Sequence, residues 1–193
     1  MDGQPGVDVI LPDISWLEER RDRIDAIFIT HAHEDHVGAV GHLWGKLRAP
    51  IYCRRFTAIH AMRKLDEAGH DAAQVHIAPA WPEAVTTGPF TVQFAPVSHS
   101  IPEASALVID TAGGRVVHSG DFKIDRDPVV GEPFDPEMWG QIAQDGVLAY
   151  ICDSTNVFSR HPGRSESQLP EPIGELIAGA KGMVVATTFA SNI

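Results

Sequence analysis

The sequence has little cysteine and no long hydrophobic run. Its two cysteines, Cys53 and Cys152, each lie alone in an apolar, strand-like segment of a 193-residue chain. This argues against a disulfide framework or a cysteine-based metal site and favours buried free thiols in a reducing cytoplasm. No apolar run approaches the length of a membrane span, and residues 1–6 lack the basic residues of a signal peptide. We therefore predict a cytoplasmic protein without membrane association.

Basic residues are also scarce. The chain has 15 Lys and Arg against 26 Asp and Glu, which gives a formal net charge of −11. Proteins that bind nucleic acid through its phosphates usually have a basic surface, so this balance argues against strong nucleic-acid binding by the chain alone. Bound metal would offset part of the negative charge. The hydrophobic fraction of 44% is ordinary for a soluble globular domain, and the length allows one core.

The most informative stretch is residues 30–36, of sequence Thr-His-Ala-His-Glu-Asp-His. It follows the apolar run 26–29, which has the length and composition of a strand. After it, apolar residues recur at helical spacing through residue 47. The stretch therefore lies on a strand-to-helix loop, where rigid elements can hold several side chains around one small volume.

The side chains of this stretch are those that bind divalent metals. His31 and His33, two residues apart in an extended loop, can hold one ion, and Asp35 and His36 can face a second. Two neighbouring ions suit the hydrolysis of phosphate esters. The alternative is a solvated polar loop, which does not readily explain four ligand-type side chains so close together.

The His-x-His-x-Asp-His element resembles the signature of the metallo-β-lactamase fold. Four further motifs follow it in order and resemble those of the ribonuclease J family, in the β-CASP branch of metallo-β-lactamase nucleases. The resemblance covers nearly the whole chain. These motifs are Ser-His-Ser-Ile-Pro at 98–102, Gly-Asp-Phe-Lys at 120–123, Asp-Ser-Thr-Asn at 153–156 and Phe-Ala-Ser-Asn at 189–192.

The order of patterns predicts a mixed α/β (α+β) fold, because strands and helices alternate at first and hairpins follow. Strands are predicted at 8–12, 26–29, 50–53, 74–78, 91–95, 106–109, 116–117, 147–152 and 183–187. Helices are predicted at 17–23, 36–47, 56–68, 136–144 and 172–180.

The resemblance implies a metallo-β-lactamase αββα sandwich over residues 1–180 and the start of a β-CASP domain at 181–193. The sandwich is expected to be incomplete, because the family's opening strands and their Asp-x-Gly turn have no counterpart. Two later histidine motifs of the family are also missing. We therefore expect a fragment truncated at both ends.

The resemblance also assigns two further metal ligands. It makes His99 the third ligand of the ion held by His31 and His33, where the alternative is a hydrogen-bonded loop residue. It makes Asp121 a carboxylate that bridges the two ions, where the alternative is a turn residue after Gly120.

The third predicted catalytic carboxylate, beside Asp35 and Asp121, is Asp153. By resemblance it is an acid/base or orienting group near the metals. A local turn or cap formed by residues 153–156 explains it equally well. Lys123 is predicted to be a solvated charge rather than a phosphate contact. Substrate-binding residues are not assigned.

The resemblance implies a metal-dependent ribonuclease of the 5′–3′ exonuclease and endonuclease type, acting on single-stranded RNA in RNA processing and decay. Two divalent ions are expected, zinc or alternatively manganese. The full-length protein is expected to be a homo-oligomer. Two alternatives stay open, since a fold does not fix a substrate. They are a small-molecule metallo-hydrolase of the same fold and a non-catalytic metal-binding fragment.

Overall fold

The structure, a computed structural model, describes residue 6, residues 10–161 and residues 163–188. The strands are β1 (Ile27–Ile29), β2 (Ile51–Cys53), β3 (Val75–Ile77), β4 (Ala84–Thr87), β5 (Phe90–Pro96), β6 (Ser105–Thr111), β7 (Gly114–His118) and β8 (Ala149–Ile151). The α-helices are α1 (Ser15–Glu18), α2 (Glu34–Val37), α3 (Val40–Leu47), α4 (Arg55–Glu67), α5 (Pro136–Ala143) and α6 (Pro170–Gly179).

The first sheet is parallel, with the order β1-β2-β3. Successive side chains of a strand point to opposite faces. On one face, Ile29, Ile51 and Val75 pack in a buried cluster with apolar residues of α3 and α4. On the other face, Phe28 stacks on Tyr52 with ring centroids 5.5 Å apart. The helices therefore cover only one side of this sheet.

The second sheet has the order β4-β5-β6-β7-β8 and is antiparallel except for the β7–β8 pair. Phe94 of β5 faces the first sheet, 6.1 Å from Phe28. The opposite face packs against α5 through Met138 and Ile142. The layers are thus helices, sheet, sheet and helix, which confirms the predicted mixed αββα arrangement.

Several predicted elements differ from the structure. The helix predicted over 36–47 is two helices that meet at Gly38 and Ala39, in a stretch where glycines lower helix propensity. β4 was not predicted. It forms because Gly88, at φ +51°, permits a two-residue turn that pairs Thr87 with Phe90.

The predicted strand at 183–187 is wrong. Within the described chain no strand lies alongside it, and Met183 and Val185 are 90% and 71% exposed. The expected burial of Cys152 is also wrong, because it follows β8, an edge strand that is exposed throughout. Of the strand predicted at 8–12, residues 10–12 form no strand and residues 8 and 9 lie outside the described residues.

Both cysteines are free thiols, and Cys53 is buried as expected. Burial raises the pKa of the Cys53 thiol to about 12, so it stays protonated and packs as a small apolar residue. Among the helices that the structure describes, none combines the length and the hydrophobicity needed to cross a bilayer.

Candidate metal centre

The predicted site residues converge at one edge of the sandwich, on loops that follow β1, β5 and β7. Backbone hydrogen bonds tie these loops together. Ser105 N–H donates to the Thr30 carbonyl over 3.1 Å, joining the two sheets, and Lys123 N–H donates to the Ser98 carbonyl over 2.8 Å. The second bond holds the loop that carries Asp121 against the one that carries His99.

Three histidines form a compact cluster, which we call the three-histidine group: His31, His33 and His99. His33 Nδ1 lies 3.1 Å from His31 Nε2 and 3.0 Å from His99 Nε2. His31 is fully buried and the other two are partly buried. The structure therefore brings His99, 66 residues along the chain from His33, into the position that the resemblance implied.

A second cluster, which we call the His36–Asp121 group, consists of His31, His36 and Asp121. Asp121 Oδ2 lies 3.3 Å from His36 Nε2 and 4.0 Å from His31 Nε2. The same oxygen is 4.0 Å from His99 Nε2, so it stands between the two groups. His31 belongs to both groups, which makes it the geometric centre of the site.

Thr30 orients two of the imidazoles through contacts to their Nδ1 atoms. Its Oγ1 lies 3.0 Å from His31 Nδ1 and 3.5 Å from His36 Nδ1. An N–H at either Nδ1 that donates to this oxygen leaves the Nε2 lone pair of the same ring directed into the site. Thr30 is itself buried, so the hydroxyl is held in place.

The electrostatics of the three-histidine group favour its neutral imidazoles. Burial, reinforced by the neighbouring histidines, lowers the pKa of His31 to about 2. Burial is also the main cause that lowers the pKa of His33 and of His99. Because neutral imidazole is the form that binds metal, these rings compete little with protons near neutral pH.

The loop before Asp121 depends on a glycine. Gly120 has φ +59°, and a Cβ there would lie 3.0 Å from the Ser105 carbonyl oxygen and 3.2 Å from Thr30 Cβ. Gly120 N–H donates to His118 Nδ1 over 3.1 Å, and Ser119 Oγ donates to the Gly120 carbonyl over 2.6 Å. These bonds fix the direction in which Asp121 leaves the strand.

The other two predicted carboxylates lie at the margin of the site. Asp35 Oδ2 is 3.6 Å from His36 Nε2, but the Asp35 side chain is 77% exposed. Asp153 Oδ1 accepts hydrogen bonds from Thr155 N–H and Thr155 Oγ1 at 2.9 and 2.7 Å. These bonds are the main cause that lowers the Asp153 pKa, and the nearby His99 and His36 contribute less. Asp153 thus forms the local turn while lying within electrostatic reach of the metal centre.

The interpretation of Lys123 as a solvated charge is wrong. Its Nζ pairs with Glu166 Oε1 and lies 3.3 Å from Asp125 Oδ2. Asp125 is buried, and the hydrogen bond from Ser165 Oγ is the main cause that lowers its pKa. Lys123 therefore offsets a buried negative charge and is not a free cation for phosphate.

Sequence reasoning missed the supporting residues Thr30 and Ser119. Thr30 directly precedes the first histidine and ends an apolar run, so a polar residue there is a usable signal. Ser119 acts through backbone geometry, which no local pattern reveals.

The donor set fits divalent metal ions. Each group contributes three nitrogen or oxygen atoms within 4.8 Å of one another, and the sulfur atoms of both cysteines lie outside the groups. Imidazole and carboxylate ligands suit zinc and related first-row metals. The crowding of imidazole nitrogens at 3.0–3.1 Å is typical of side chains arranged around a shared ion.

Comparison with known proteins agrees with this geometry. A family model described as a beta-lactamase superfamily domain matches residues 5–138. Ribonuclease J of Sinorhizobium meliloti is 44% identical over 191 residues, which is 98% of this chain and 34% of that protein. Ribonuclease J of Mycolicibacterium smegmatis is 40% identical over 194 residues, with the same two shares. The resemblance to ribonuclease J is thus confirmed, and the chain spans about a third of the length of these curated relatives.

A solved structure gives independent support for the fold. The crystal structure of a protein of unknown function from Enterococcus faecalis V583 matches 79% of this chain and 38% of its own, with 19% identity and a TM-score of 0.54. At that identity the likeness concerns the fold alone. Because the family model covers more than half of the chain and includes the histidine stretch, His99 and Asp121, the chain belongs to the beta-lactamase superfamily.

Proposed function

We propose that this chain belongs to a metal-dependent ribonuclease that hydrolyses phosphodiester bonds of single-stranded RNA. The observation that carries the proposal is the 40–44% identity to ribonuclease J over 98% of the chain. The activity is of the 5′–3′ exonuclease and endonuclease type and serves RNA processing, including that of rRNA, and RNA decay. Its location is the cytoplasm, and the full-length protein is a homo-oligomer.

The proposal divides the metal ligands between two divalent ions. The three-histidine group holds the first ion. His36, Asp121 and Asp35 hold the second, and Asp121 bridges the two. Zinc is the preferred metal because imidazole nitrogens dominate the donor set, and manganese is the alternative. Support comes from the position of Asp121 Oδ2, which lies 3.3–4.0 Å from three imidazole nitrogens.

When bound, such ions supply Lewis-acid stabilisation of phosphate charge and a nucleophile at neutral pH. The residues of the chain supply the positioning. Thr30 holds two imidazoles at their Nδ1 atoms, and the turn at Gly120 aims Asp121 between the two groups. Asp153 is proposed as an acid/base or orienting carboxylate for the substrate, held by Thr155.

The domain assignment follows the same resemblance. Residues 1–180 are proposed to be the metallo-β-lactamase domain and residues 181–193 the start of a β-CASP domain. Residues 189–193 of that second part lie outside the described residues.

A small-molecule metallo-hydrolase is the second candidate, favoured by the net charge of −11. An acidic chain repels polyanions more than small substrates. The two candidates differ in the substrate that they turn over with the same metals.

The test is a comparison of two substrates with and without a chelator. A 5′-labelled single-stranded RNA and a small thioester are incubated with the zinc- or manganese-loaded protein, and with the His31→Ala variant as a control. The proposal predicts chelator-sensitive RNA cleavage that His31→Ala abolishes. Thioester turnover without RNA cleavage would contradict it. A folded, metal-loaded protein without either activity would favour the non-catalytic alternative.

A further inference from the structure

One exposed segment stands out against the acidic character of the chain. The eleven residues between Asp153 and Ser165 contain Arg160, His161 and Arg164 and no Asp or Glu. We call residues 154–161 together with 163 and 164 the basic segment. Its local charge is opposite in sign to that of the whole chain, whose formal net charge is −11.

The basic segment presents its side chains to solvent. Phe158 is 95% exposed, the highest exposure of any large apolar side chain among the described residues. Arg160 and Arg164 are exposed as well, and within the described chain neither lies within 4.0 Å of a carboxylate oxygen. An aromatic ring this exposed, shortly before two arginines, is costly to hydrate and packs against no part of the described chain.

The start of the basic segment is fixed beside the metal centre. Asp153 N–H donates to Ser119 Oγ over 2.9 Å, and Thr155 is bonded to the Asp153 carboxylate. Ser119 lies two residues before Asp121.

The end of the segment is fixed to the other side of the same loop. Ser165 Oγ donates to Asp125 Oδ1 over 2.6 Å, and Glu166 N–H donates to Asp125 Oδ2 over 3.0 Å. In return, Glu166 Oε2 accepts from Val130 N–H over 3.2 Å, and its other oxygen pairs with Lys123. Asp125 is buried, so these bonds are shielded from water.

The two anchors therefore flank Asp121, at Ser119 on one side and at Lys123 and Asp125 on the other. Both ends of this eleven-residue stretch are therefore fixed within four residues of Asp121 in sequence. The basic segment thus begins and ends at the loop that carries Asp121, and it presents one aromatic and several cationic side chains there.

We propose that the basic segment is a contact surface for single-stranded RNA beside the metal centre. Phe158 stacks on a base, and Arg160 and Arg164 pair with phosphates on either side of it. This combination of an aromatic platform and cations is how proteins bind single strands without reading sequence. The inference rests on the proposed function, since it names the surface that brings RNA to that site.

The test is fluorescence anisotropy with a 5′-labelled oligouridylate, in a chelator so that no cleavage occurs, over a range of salt concentrations. Phe158→Ala is expected to weaken binding by about 5- to 150-fold, the usual effect of losing one stacked base. The double variant Arg160→Ala/Arg164→Ala is expected to lower the slope of log K against log salt by about 1.4, for two lost phosphate contacts.

The matched control is Arg21→Ala/Arg23→Ala, which removes two exposed arginines from a short 3₁₀ turn elsewhere on the surface. It is expected to leave the binding constant and the salt slope close to those of the parent. Circular dichroism and zinc stoichiometry are measured for all variants and are expected to be unchanged.

Three outcomes would overturn the inference. One is RNA binding by the Phe158 and Arg160/Arg164 variants equal to that of the parent. Another is an equal loss in the Arg21/Arg23 control, which would show only non-specific charge. The third is a parent that binds polyglutamate as tightly as RNA, which would indicate a protein partner. In the first case chelator-sensitive RNA cleavage can persist, so the proposed function survives; absence of that cleavage would remove the proposed function itself.

Discussion

The two ligand groups of the site differ in burial although they share His31. The three-histidine group contains a fully buried imidazole, and His33 Nδ1 lies 3.0–3.1 Å from the Nε2 atoms of the other two rings. In the His36–Asp121 group, the two members other than His31 have side chains 25% and 35% exposed, and the shortest contact is 3.3 Å. Asp35, the further residue proposed for the second ion, is 77% exposed. One group is thus pre-organised by the fold, and the other is open on one side.

This difference indicates that the two ions would not be equivalent. Ligands whose rotamers are locked by packing lose little entropy on binding a metal, whereas exposed ligands must be ordered first. We therefore expect a tight first site at the three-histidine group and a weaker second site. Variants of His31, Thr30 and Asp35 should therefore reduce metal affinity to different degrees, most at His31 and least at Asp35.

The largest effect is expected for His31→Ala. Because His31 is a ligand of the first ion and its ring also packs against His36, with the centroids 4.0 Å apart, its loss should reduce the affinity for both ions, by more than the roughly 100-fold that marks the loss of an outer partner. Elemental analysis after dialysis should find no retained metal. The control is His42→Ala, an exposed histidine of α3, which should keep the parental content. Retention of one ion in His31→Ala would contradict the shared position.

Acid should destabilise the metal-free protein, because burial lowers the pKa of His31, His33 and His99 in the folded state. The pKa of His31 is about 2 in the folded protein, compared with an ordinary value of 6.5. Below pH 6.5 the unfolded chain therefore binds more protons than the folded chain. Their stabilising effect is complete above pH 6.5 and is lost as the pH falls below it. Each histidine with a pKa lowered in this way reduces the free energy of unfolding by up to about 1.4 kcal/mol for each pH unit of acidification.

Urea denaturation in a chelator between pH 7.5 and 4.5 measures this loss. The parent should lose stability on acidification, and His31→Ala should lose less because one of the responsible groups is gone. A pH-independent midpoint in the parent would show that the cluster is hydrated and its histidines titrate normally.

Thr30→Val should have an intermediate effect, on both groups at once. Valine keeps the shape of threonine but cannot accept the Nδ1 hydrogens of His31 and His36. Loss of such an orienting partner typically reduces metal affinity by about 10- to 100-fold. Competition with a chromophoric chelator measures the change.

The chain offers a matched control for that variant. Thr57 is also fully buried, and its hydroxyl has no hydrogen-bond partner within the described residues. Thr57→Val should therefore leave metal affinity unchanged and leave stability equal or slightly increased. An equal loss of affinity in both valine variants would show that the Thr30 hydroxyl has no specific role.

The smallest effect is expected for Asp35→Asn. An exposed carboxylate contributes little through charge, so the affinity for the second ion should fall by at most about fivefold. The first ion should be unaffected. A loss as large as that of Thr30→Val, measured in the same competition assay, would make Asp35 a principal ligand despite its exposure.

Much of the site was predictable from the sequence because several of its residues lie close together in one short motif. Two histidines separated by one residue after an apolar strand indicate a metal loop, and the structure joins His99 to them. The mixed α/β class was also predictable, since strand and helix patterns alternate before the hairpins, whereas the layer order followed from the family resemblance. For Asp153 the structure shows the turn with Thr155, and its catalytic role stays a prediction.

The features that could not be predicted from the sequence depend on tertiary contacts. Thr30 matters because its hydroxyl contacts two imidazoles, and Lys123 because it pairs with the buried Asp125. Neither contact follows from a local sequence pattern. The strand expected at 183–187 has the right composition but pairs with no strand among the described residues, and composition alone cannot provide a partner.

The most direct test is a calorimetric titration of the metal-free protein with zinc, repeated on Asp121→Ala. The account predicts two classes of site in the parent, the tighter one assigned to the three-histidine group. Asp121→Ala should keep the tight site and lose the weak one. Loss of both sites together in Asp121→Ala, or a single class of site in the parent, would contradict the division into a buried group and an open one.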